Sequence, residues 1–278
     1  MSAPLYGLVL AGGRSSRMGS DKAAIRYGDR TQLELAVDLA RMATKEAFVS
    51  VRSDQASDPL RAKFAQIVDG GDVEGPAAGI RAAQVARPDA AWLVVACDLP
   101  YLSAATINHL VSHRDPARIA TAYRSSHDGM PEPLCAIYEP AAAPALQQFL
   151  ATGRNCPRKF LINSDTLLLT QPDPESLENV NTPEDLVAAR RRVASVTATR
   201  PIRVQYFAIL REQAGRRDES VETAARTPDE LFRELSNRHH FTLQPAMLKV
   251  AVNAEFRDWS HPLASGDVVV FIPPVAGG

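Results

Sequence analysis

The sequence predicts a doubly wound, mostly parallel α/β sheet followed by a small α+β domain. Short apolar runs alternate with helix-length segments, a glycine-rich turn directly follows the first run, and the pattern changes after a polar stretch that begins at Ala194. The chain has 278 residues, of which 45% are hydrophobic and 23% charged. It is therefore longer than one average domain requires, and it has ample apolar material for a core.

The first domain contains five apolar runs that are predicted strands: Tyr6–Ala11, Ala47–Val51, Ala91–Cys97, Ile119–Tyr123 and Leu134–Tyr138. Segments with helical spacing lie among them, at Gln32–Ala43, Ala77–Ala86, Ala104–Ser112 and Ala141–Leu150. A last helix is expected at Pro183–Val193, with Thr182 as its N-cap. Strands that alternate with helices of this length form βαβ units, so residues 1–193 are expected to form a Rossmann-like sheet.

Residues 194–200 are the predicted linker, because they are small, polar and without an apolar period. The second domain, 201–278, has a different pattern of elements. Strands are predicted at Ile202–Leu210, Leu248–Val252 and Asp267–Ile272, with an amphipathic helix at Thr227–Arg238. This order favours a small α+β roll over a continuation of the parallel sheet.

The overall charge is close to balanced, with 31 basic and 32 acidic residues. Such a balance gives no indication of a nucleic-acid or membrane-surface partner. No apolar run reaches the roughly 18 residues of a membrane span, and the first residues do not have the pattern of a secretion signal. Three scattered cysteines do not form a disulfide scaffold or a metal knuckle, so a cytoplasmic protein is expected.

The glycine-rich turn after the first strand carries the strongest chemical signal. Backbone N–H groups in such a turn can close on phosphate oxygens, and nearby basic side chains balance the charge of a triphosphate. The spacing fits neither a P-loop, because Lys22 is followed by Ala23, nor the dinucleotide motif GxGxxG. The alternative is a plain turn with solvent-facing arginines. The candidate nucleotide-binding residues of this segment are Leu10, Ala11, Gly12, Gly13, Arg14, Arg17 and Lys22.

Asp98 directly follows the predicted apolar strand Ala91–Cys97. Ligands of open α/β sheets lie beyond the carboxyl ends of the strands, so Asp98 is a candidate ligand for Mg²⁺ against phosphate oxygens. The alternative is that Asp98 caps the next helix, for which Ser103 stands closer. Gly75 and Gly79 flank the start of another helix, where small residues permit a nucleotide to approach.

Residues Leu10–Lys22 resemble the signature LxGGxSxRMGxDK of nucleotidyltransferases, most closely that of the molybdenum cofactor guanylyltransferase family, and the likeness covers roughly Leu5–Val193. It implies that GTP and molybdenum-molybdopterin are the substrates and that Mg²⁺ is required. It implies catalytic roles for Arg17, Lys22 and Asp98, and nucleotide contacts that include Asp69, Gly75 and Gly79. It also implies that Pro133, Asn179 and Asn181 bind the acceptor. Arg52-Ser53 departs from the family pattern, since some relatives have an asparagine there.

The second domain resembles the molybdopterin synthase small subunit, a ubiquitin-like β-grasp sulfur carrier, from Ile202 to the glycine pair Gly277-Gly278. The likeness implies chemistry on the Gly278 carboxylate, which is adenylated and then converted to a thiocarboxylate. The implied partners are an E1-like adenylating enzyme, the molybdopterin synthase large subunit, the molybdenum insertion machinery and the molybdoenzymes that accept the cofactor.

Two alternatives stay open from the sequence. Cytidylyl relatives commonly have LAAG where this chain has Leu10-Ala11-Gly12-Gly13, which favours GTP but leaves a cytidylyl- or sugar-phosphate nucleotidyltransferase possible. The second domain would then be a non-catalytic interaction module. An alternative from a different class is a non-catalytic regulator whose Gly-Gly domain acts purely as an interaction module. Cys97 is interpreted as a small buried residue and His239-His240 as helix surface, since neither lies in a motif for nucleophilic or metal chemistry.

Overall fold

The computed structural model describes residues 2–12, 21–70, 73–180, 184–190 and 199–274. The chain divides into two compact units, Met1–Val193 and Ala194–Gly278. Among the described residues, no helix is long and apolar enough to cross a membrane.

A seven-stranded sheet forms the centre of the first unit in the described part of the chain. Its strands are β1 (Leu5–Leu10), β4 (Ala47–Val51), β5 (Gln66–Val68), β6 (Ala91–Ala96), β7 (Ala120–Arg124), β8 (Pro131–Tyr138) and β9 (Thr166–Leu169). A small separate hairpin consists of β2 (Arg26–Tyr27) and β3 (Arg30–Thr31).

The strand order is β5-β4-β1-β6-β8-β7-β9. The first four strands in that order run parallel, and β7 and β9 are parallel to each other. Strand β8 is antiparallel to both of its neighbours, β6 and β7. It follows β7 after a short turn, a connection that antiparallel strands allow. The predicted mostly parallel α/β sheet is confirmed, and the carboxyl ends of β1, β4, β5 and β6 share one edge.

The helices of the first unit are α1 (Gln32–Ala43), α2 (Pro76–Ala86), α3 (Ala104–Ser112), α4 (Ala142–Ala151), α5 (Pro157–Ile162) and α6 (184–190). Helices α1 and α3 have the predicted bounds. A capping box between Thr31 and Glu34 starts α1, and Ser103 caps α3 by accepting a hydrogen bond from Thr106 N. Every residue of β6 is buried, so this strand lies at the centre of the core. Of the predicted helix Pro183–Val193, residues 183 and 191–193 lie outside the described part.

The second unit has a five-stranded sheet with one long helix packed on it. Its elements are β10 (Arg200–Tyr206), α7 (Ala208–Ala214), β11 (Asp218–Thr223), α8 (Pro228–His239), β12 (Lys249–Val252), β13 (Glu255–Arg257) and β14 (Val268–Ile272). The sheet order is β11-β10-β14-β12-β13, with β10 and β14 parallel at the centre. Leu231, Phe232 and Leu235 of α8 are buried in the core of this unit. This is the predicted ubiquitin-like β-grasp arrangement.

Three sequence-based expectations for the second unit need correction. The predicted strand Ile202–Leu210 ends at Tyr206, because Leu210 and Ala214 bury one face of α7 at helical spacing and Gly215 ends that helix in the left-handed conformation. Arg200, placed in the linker, already belongs to β10. His239 is not a surface residue: its side chain is 10% exposed, because its ring packs against aromatic neighbours and its Nε2 contacts Glu219.

Candidate active site

The candidate active site lies at the carboxyl edge of the four parallel strands. Arg52 directly follows β4 and Asp69 directly follows β5. Gly12 follows β1 and Asp98 follows β6, each after one intervening residue. Backbone hydrogen bonds hold these strand ends together: Cys97 N donates to Leu10 O at 3.2 Å, and Asp69 N donates to Val51 O at 2.9 Å. The parallel topology therefore brings together residues that are far apart in sequence.

Lys22 and Asp98 form an ion pair at this edge, with Lys22 Nζ 3.2 Å from Asp98 Oδ2. Lys22 is the first residue of a 3₁₀ turn, Lys22–Ala24, and Asp21 caps that turn by accepting a hydrogen bond from Ala23 N. Both side chains of the pair are partly exposed, at 23% and 30%. The predicted phosphate-binding cation and the predicted metal ligand are thus neighbours.

Arg61 is a further charged residue of the site, which the sequence analysis did not select. Its side chain is 3% exposed. It contacts Ala11 and Asp21, the residues at the two ends of the glycine-rich segment. Asp21 and Ala11 are 40 and 50 positions away from Arg61, so the local sequence does not indicate these two partners.

Arg52 is fixed beside Gly12. Its Nη1 donates to Gly12 O at 2.6 Å, while Nε and Nη2 donate to the carboxylate of Asp54 at 2.9 and 2.8 Å. The hydrogen bond to Asp54 raises the pKa of Arg52 above its usual value. The departure from the family pattern at this position thus places a fixed guanidinium at the edge of the site.

Glycine is required at positions 75 and 79, near the start of α2, for two different structural reasons. Gly75 is the N-cap residue with φ +79° and ψ −165°, a conformation that is essentially restricted to glycine. Gly79 lies where α2 approaches the sheet, since a Cβ there would come within 2.2 Å of Ser50 Oγ. Gly79 therefore permits close packing of α2 on the strand ends.

Cys97 is buried beside Asp98. Burial, and after it the charge of Asp98, raises the pKa of the Cys97 thiol to about 12. The thiol is therefore neutral near pH 7 and lacks the thiolate that a nucleophile requires. This agrees with its interpretation as a small apolar residue.

A cavity of about 250 Å³ adjoins the site on the side of β8. Two of the three predicted acceptor-binding residues, Pro133 and Asn179, line it. Arg158, which the sequence analysis did not select, also lines it and lies 3.2 Å from Glu132 and 3.0 Å from Asp128. The remaining lining residues are Ala96, Leu99, Glu132, Leu134, Cys135 and Leu177.

The donor set at the edge fits a metal ion that is shared with a nucleotide. In the described ranges, no cluster of three or more His, Cys, Asp or Glu side chains could hold a metal ion. Asp98 offers a carboxylate, and Mg²⁺ at nucleotide sites is commonly held by one or two carboxylates together with substrate phosphates. The residues therefore suit a Mg²⁺ ion that binds with a triphosphate.

Several predicted site residues lie outside the described part of the chain. They are Gly13, Arg14 and Arg17 of the glycine-rich segment, Asn181 of the acceptor set, and Gly278 of the second unit.

Comparison with known families matches both units. Residues 7–167 match the family described as MobA-like NTP transferase domain, and residues 204–278 match the ThiS family. The first match covers more than half of the chain.

Curated relatives match the first unit. A molybdenum cofactor biosynthesis bifunctional protein of Synechocystis sp. is 35% identical over 182 residues, which are 66% of this chain and 52% of that protein. The match therefore spans about half the length of that relative. A probable molybdenum cofactor guanylyltransferase of Trichormus variabilis is 32% identical over 66% of this chain and 88% of its own length.

Solved structures share the fold of the first unit. Molybdopterin-guanine dinucleotide biosynthesis protein A from Archaeoglobus fulgidus has a TM-score of 0.58 at 23% identity, over 68% of this chain and 98% of that one. The 4-diphosphocytidyl-2C-methyl-D-erythritol synthase from Anaerococcus prevotii has a TM-score of 0.51 at 14% identity, over 69% of this chain and 96% of that one. The fold alone therefore does not select the base of the nucleotide. The family matches do assign the protein: the chain belongs to the MobA-like nucleotidyltransferase family and carries, C-terminal to the transferase domain in sequence, a ThiS-family, sulfur-carrier-like domain.

Proposed function

We propose that the first unit transfers GMP from GTP to molybdenum-molybdopterin and releases pyrophosphate. The observation that carries this proposal is the Lys22–Asp98 pair at the carboxyl edge of a MobA-like sheet. Relatives named as guanylyltransferases, at 31–32% identity over most of their own length, support GTP as the donor and molybdenum-molybdopterin as the acceptor.

In this reaction an oxygen of the acceptor's phosphate attacks the α-phosphorus of GTP. A new P–O bond forms, the bond between the α-phosphorus and the bridging oxygen breaks, and its electron pair leaves with pyrophosphate. The attacking oxygen is already anionic, so the site needs no strong general base. Catalysis then depends on position and on cations placed against the negative charge that grows on the leaving group.

The residues of the site divide these tasks. The backbone of Gly12 and Gly13 would cradle the phosphates, and the side chains of Arg14, Arg17 and Lys22 would neutralise them. Asp98 would hold Mg²⁺, which when bound supplies a further positive charge to the phosphate oxygens. Asp69, Gly75 and Gly79 complete the proposed nucleotide side of the site.

The acceptor would bind in the cavity beside β8, where Pro133 and Asn179 lie. Asn181 follows Asn179 in the sequence after one intervening residue. Arg158 gives this cavity a cation, and Glu132 gives it a carboxylate. A pterin offers donors and acceptors on its edge, and its attached phosphate is an anion, so both kinds of group have a chemical partner here.

For the second unit we propose a sulfur carrier for molybdopterin synthesis. The ThiS-family match extends to residue 278 and so includes the glycine pair. A carboxylate is unreactive toward sulfur until it is activated, so an adenylating enzyme would act on Gly278 first. The molybdopterin synthase large subunit would then take the sulfur, and the molybdenum insertion machinery and molybdoenzymes would act downstream.

Pyrophosphate release with purified molybdenum-molybdopterin tests the first activity, with GTP, CTP, UTP and ATP compared at equal concentration. Of the four nucleotides, only GTP is expected to release pyrophosphate in the presence of the pterin. A preference for CTP would favour the cytidylyl alternative, and release that does not require the pterin would point to a different acceptor.

Intact-mass spectrometry after incubation with an adenylating enzyme, ATP and a sulfur donor tests the second activity. One oxygen of the chain should be replaced by sulfur, and deletion of Gly277-Gly278 should abolish that replacement while guanylyl transfer persists. No replacement on the full chain, with a validated carrier run in parallel, would leave the second unit as an interaction module.

A further inference from the structure

We propose that Arg61 is a positioning residue of the transferase, which fixes the two ends of the glycine-rich segment and thereby places Lys22 for the nucleotide. The proposal rests on the function proposed above for the first unit. Arg61 lies in a short 3₁₀ turn, Arg61–Lys63, and its side chain is 3% exposed.

One end of the segment is held through the backbone of Ala11. The Nε and Nη2 atoms of Arg61 donate to Ala11 O at 3.1 and 3.0 Å. Ala11 directly follows β1 and is itself buried. The carbonyl that begins the segment therefore has a fixed direction.

The other end is held through Asp21. The Nη1 atom of Arg61 lies 2.7 Å from Asp21 Oδ2, and Nη2 lies 2.9 Å from Asp21 Oδ1, a bidentate contact. The same carboxylate caps the turn that carries Lys22, since Asp21 Oδ1 accepts from Ala23 N at 3.1 Å. A shift of Asp21 would therefore move Lys22 and its contact with Asp98.

Arg61 acts through these contacts and not by binding phosphate itself. A guanidinium has five N–H donors, and the remaining one, on Nη1, meets Asp58 Oδ1 at 3.1 Å. All five donors are thus used within the protein, on Ala11, Asp21 and Asp58. Burial works against the charge, but the hydrogen bonds to Asp21 and Asp58 outweigh it and raise the pKa of Arg61.

The contacts with Ala11 and Asp21 require the planar, forked guanidinium of arginine. Lysine keeps the charge but presents three donors on one nitrogen, so it cannot reach Ala11 O and both oxygens of Asp21 in this geometry. The proposal therefore predicts that Arg61→Lys falls short of the wild-type protein, even though the charge is conserved.

Arg114 provides a matched control in the same unit. It is 10% exposed, donates to both carboxylate oxygens of Glu139 at 2.6 and 2.7 Å, and donates to Ala3 O at 3.0 Å. Arg114→Met removes another largely buried guanidinium that is bonded within the protein, and its partners Glu139 and Ala3 lie outside the candidate site.

The test measures GTP affinity by titration calorimetry, and backbone hydrogen exchange in residues 21–25, for the full chain and its variants. Since small misplacements of binding groups cost up to about 100-fold, we expect Arg61→Met to weaken GTP binding by about tenfold or more and to speed exchange at 21–25. Arg61→Lys should give an intermediate loss, and guanidinium ion should restore part of the affinity of Arg61→Met. Arg114→Met should lower the melting temperature with GTP affinity and exchange at 21–25 unchanged.

Wild-type GTP affinity and exchange in a folded Arg61→Met variant would overturn the proposal, as would an equal loss of affinity in Arg114→Met. If Arg61→Met does not fold, Arg61→Lys decides the matter by the same two readouts. Absence of GTP binding by the wild-type chain would instead contradict the proposed function, and hydrogen exchange at 21–25 would still show whether Arg61 fixes the segment.

Discussion

Lys22 Nζ lies 3.2 Å from Asp98 Oδ2, although the two residues are 76 positions apart in the chain. Their side chains are 23% and 30% exposed. An ion pair this exposed contributes about 1 kcal/mol or less to stability. Either partner can therefore be replaced at little cost to the fold, so the effect of each residue on chemistry can be measured separately.

Lys22→Ala should lower guanylyl transfer by about 100-fold or more, a loss of roughly 3 kcal/mol of transition-state stabilisation, because a cation at the triphosphate would be removed. Its melting temperature should stay close to that of the wild-type protein. Lys63→Ala is the matched control, since Lys63 is an exposed lysine whose ion-pair partner is Glu34. Turnover by a folded Lys22→Ala variant at the rate of Lys63→Ala would make Lys22 an ordinary surface residue.

Asp98→Asn should raise the Mg²⁺ concentration needed for half-maximal activity, because an amide is a weaker ligand for a hard cation than a carboxylate. Thermal stability should change little, because Ser103 and not Asp98 caps α3. Magnesium titrations of Asp98→Asn beside Asp165→Asn, an exposed carboxylate paired with Arg118, provide the comparison. An unchanged magnesium requirement in Asp98→Asn would exclude Asp98 as the ligand.

Gly79→Ala should destabilise the protein by about 1–3 kcal/mol, because an added methyl group overpacks the contact between α2 and β4. The new Cβ would lie 2.2 Å from Ser50 Oγ and 2.9 Å from Leu10 Cδ2. Removal of the hydroxyl in Gly79→Ala/Ser50→Ala should recover part of the loss. Denaturant unfolding of the two single variants and the double variant measures this coupling, and strictly additive losses would show that Ser50 is not the obstacle.

The second unit should lose stability in acid through Glu219, whose side chain is 10% exposed. Burial favours a higher pKa, but hydrogen bonds from Tyr206 and His239 outweigh it and lower the pKa of Glu219. A carboxyl group with a lowered pKa stabilises the fold above its unfolded pKa of about 4.3, and this contribution disappears as the pH falls through the lower folded value. Glu219→Gln should therefore be less stable at pH 7 and show a shallower decline in acid.

Trp259 provides the probe for this pH dependence, since it packs against Phe232 and Phe271 of the second unit. The chain has two tryptophans, so a Trp92→Phe background makes the fluorescence specific to that unit. Glu222→Gln, an exposed glutamate on the same strand β11, is the control. Parallel pH profiles for Glu219→Gln and Glu222→Gln would contradict the role given to Glu219.

Much of the fold could be predicted because its long elements have clear periodicity. Helices α1 and α3 have the predicted bounds, and β4 does as well. Several of the missed elements are short, among them β5 with three residues, β9 with four and α5 with six. Segments of that length have too few positions to show a period, and tertiary contacts decide their conformation.

Individual residues of the candidate site could be predicted from the sequence, but their positions relative to one another could not. Strand ends and glycines pointed to Asp98 and Lys22 separately, and the parallel topology made them neighbours. Arg61 and Arg158 gave no signal, because a buried or cavity-lining arginine is recognised only by partners that the fold supplies. The reason for a glycine at position 79 also needed the structure, since Gly79 lies in α2 and Ser50 in β4.

In the proposed reaction, the first unit transfers the nucleotidyl group of GTP to molybdenum-molybdopterin. The most direct test gives the full chain GTP labelled on the α-phosphate or on the γ-phosphate, together with the pterin and Mg²⁺, and follows each label. The α-label is expected to enter the pterin product in equal amount to the pyrophosphate released, and the γ-label is expected only in pyrophosphate. An α-label that never reaches the pterin, or a γ-label released as inorganic phosphate, would contradict the proposed reaction.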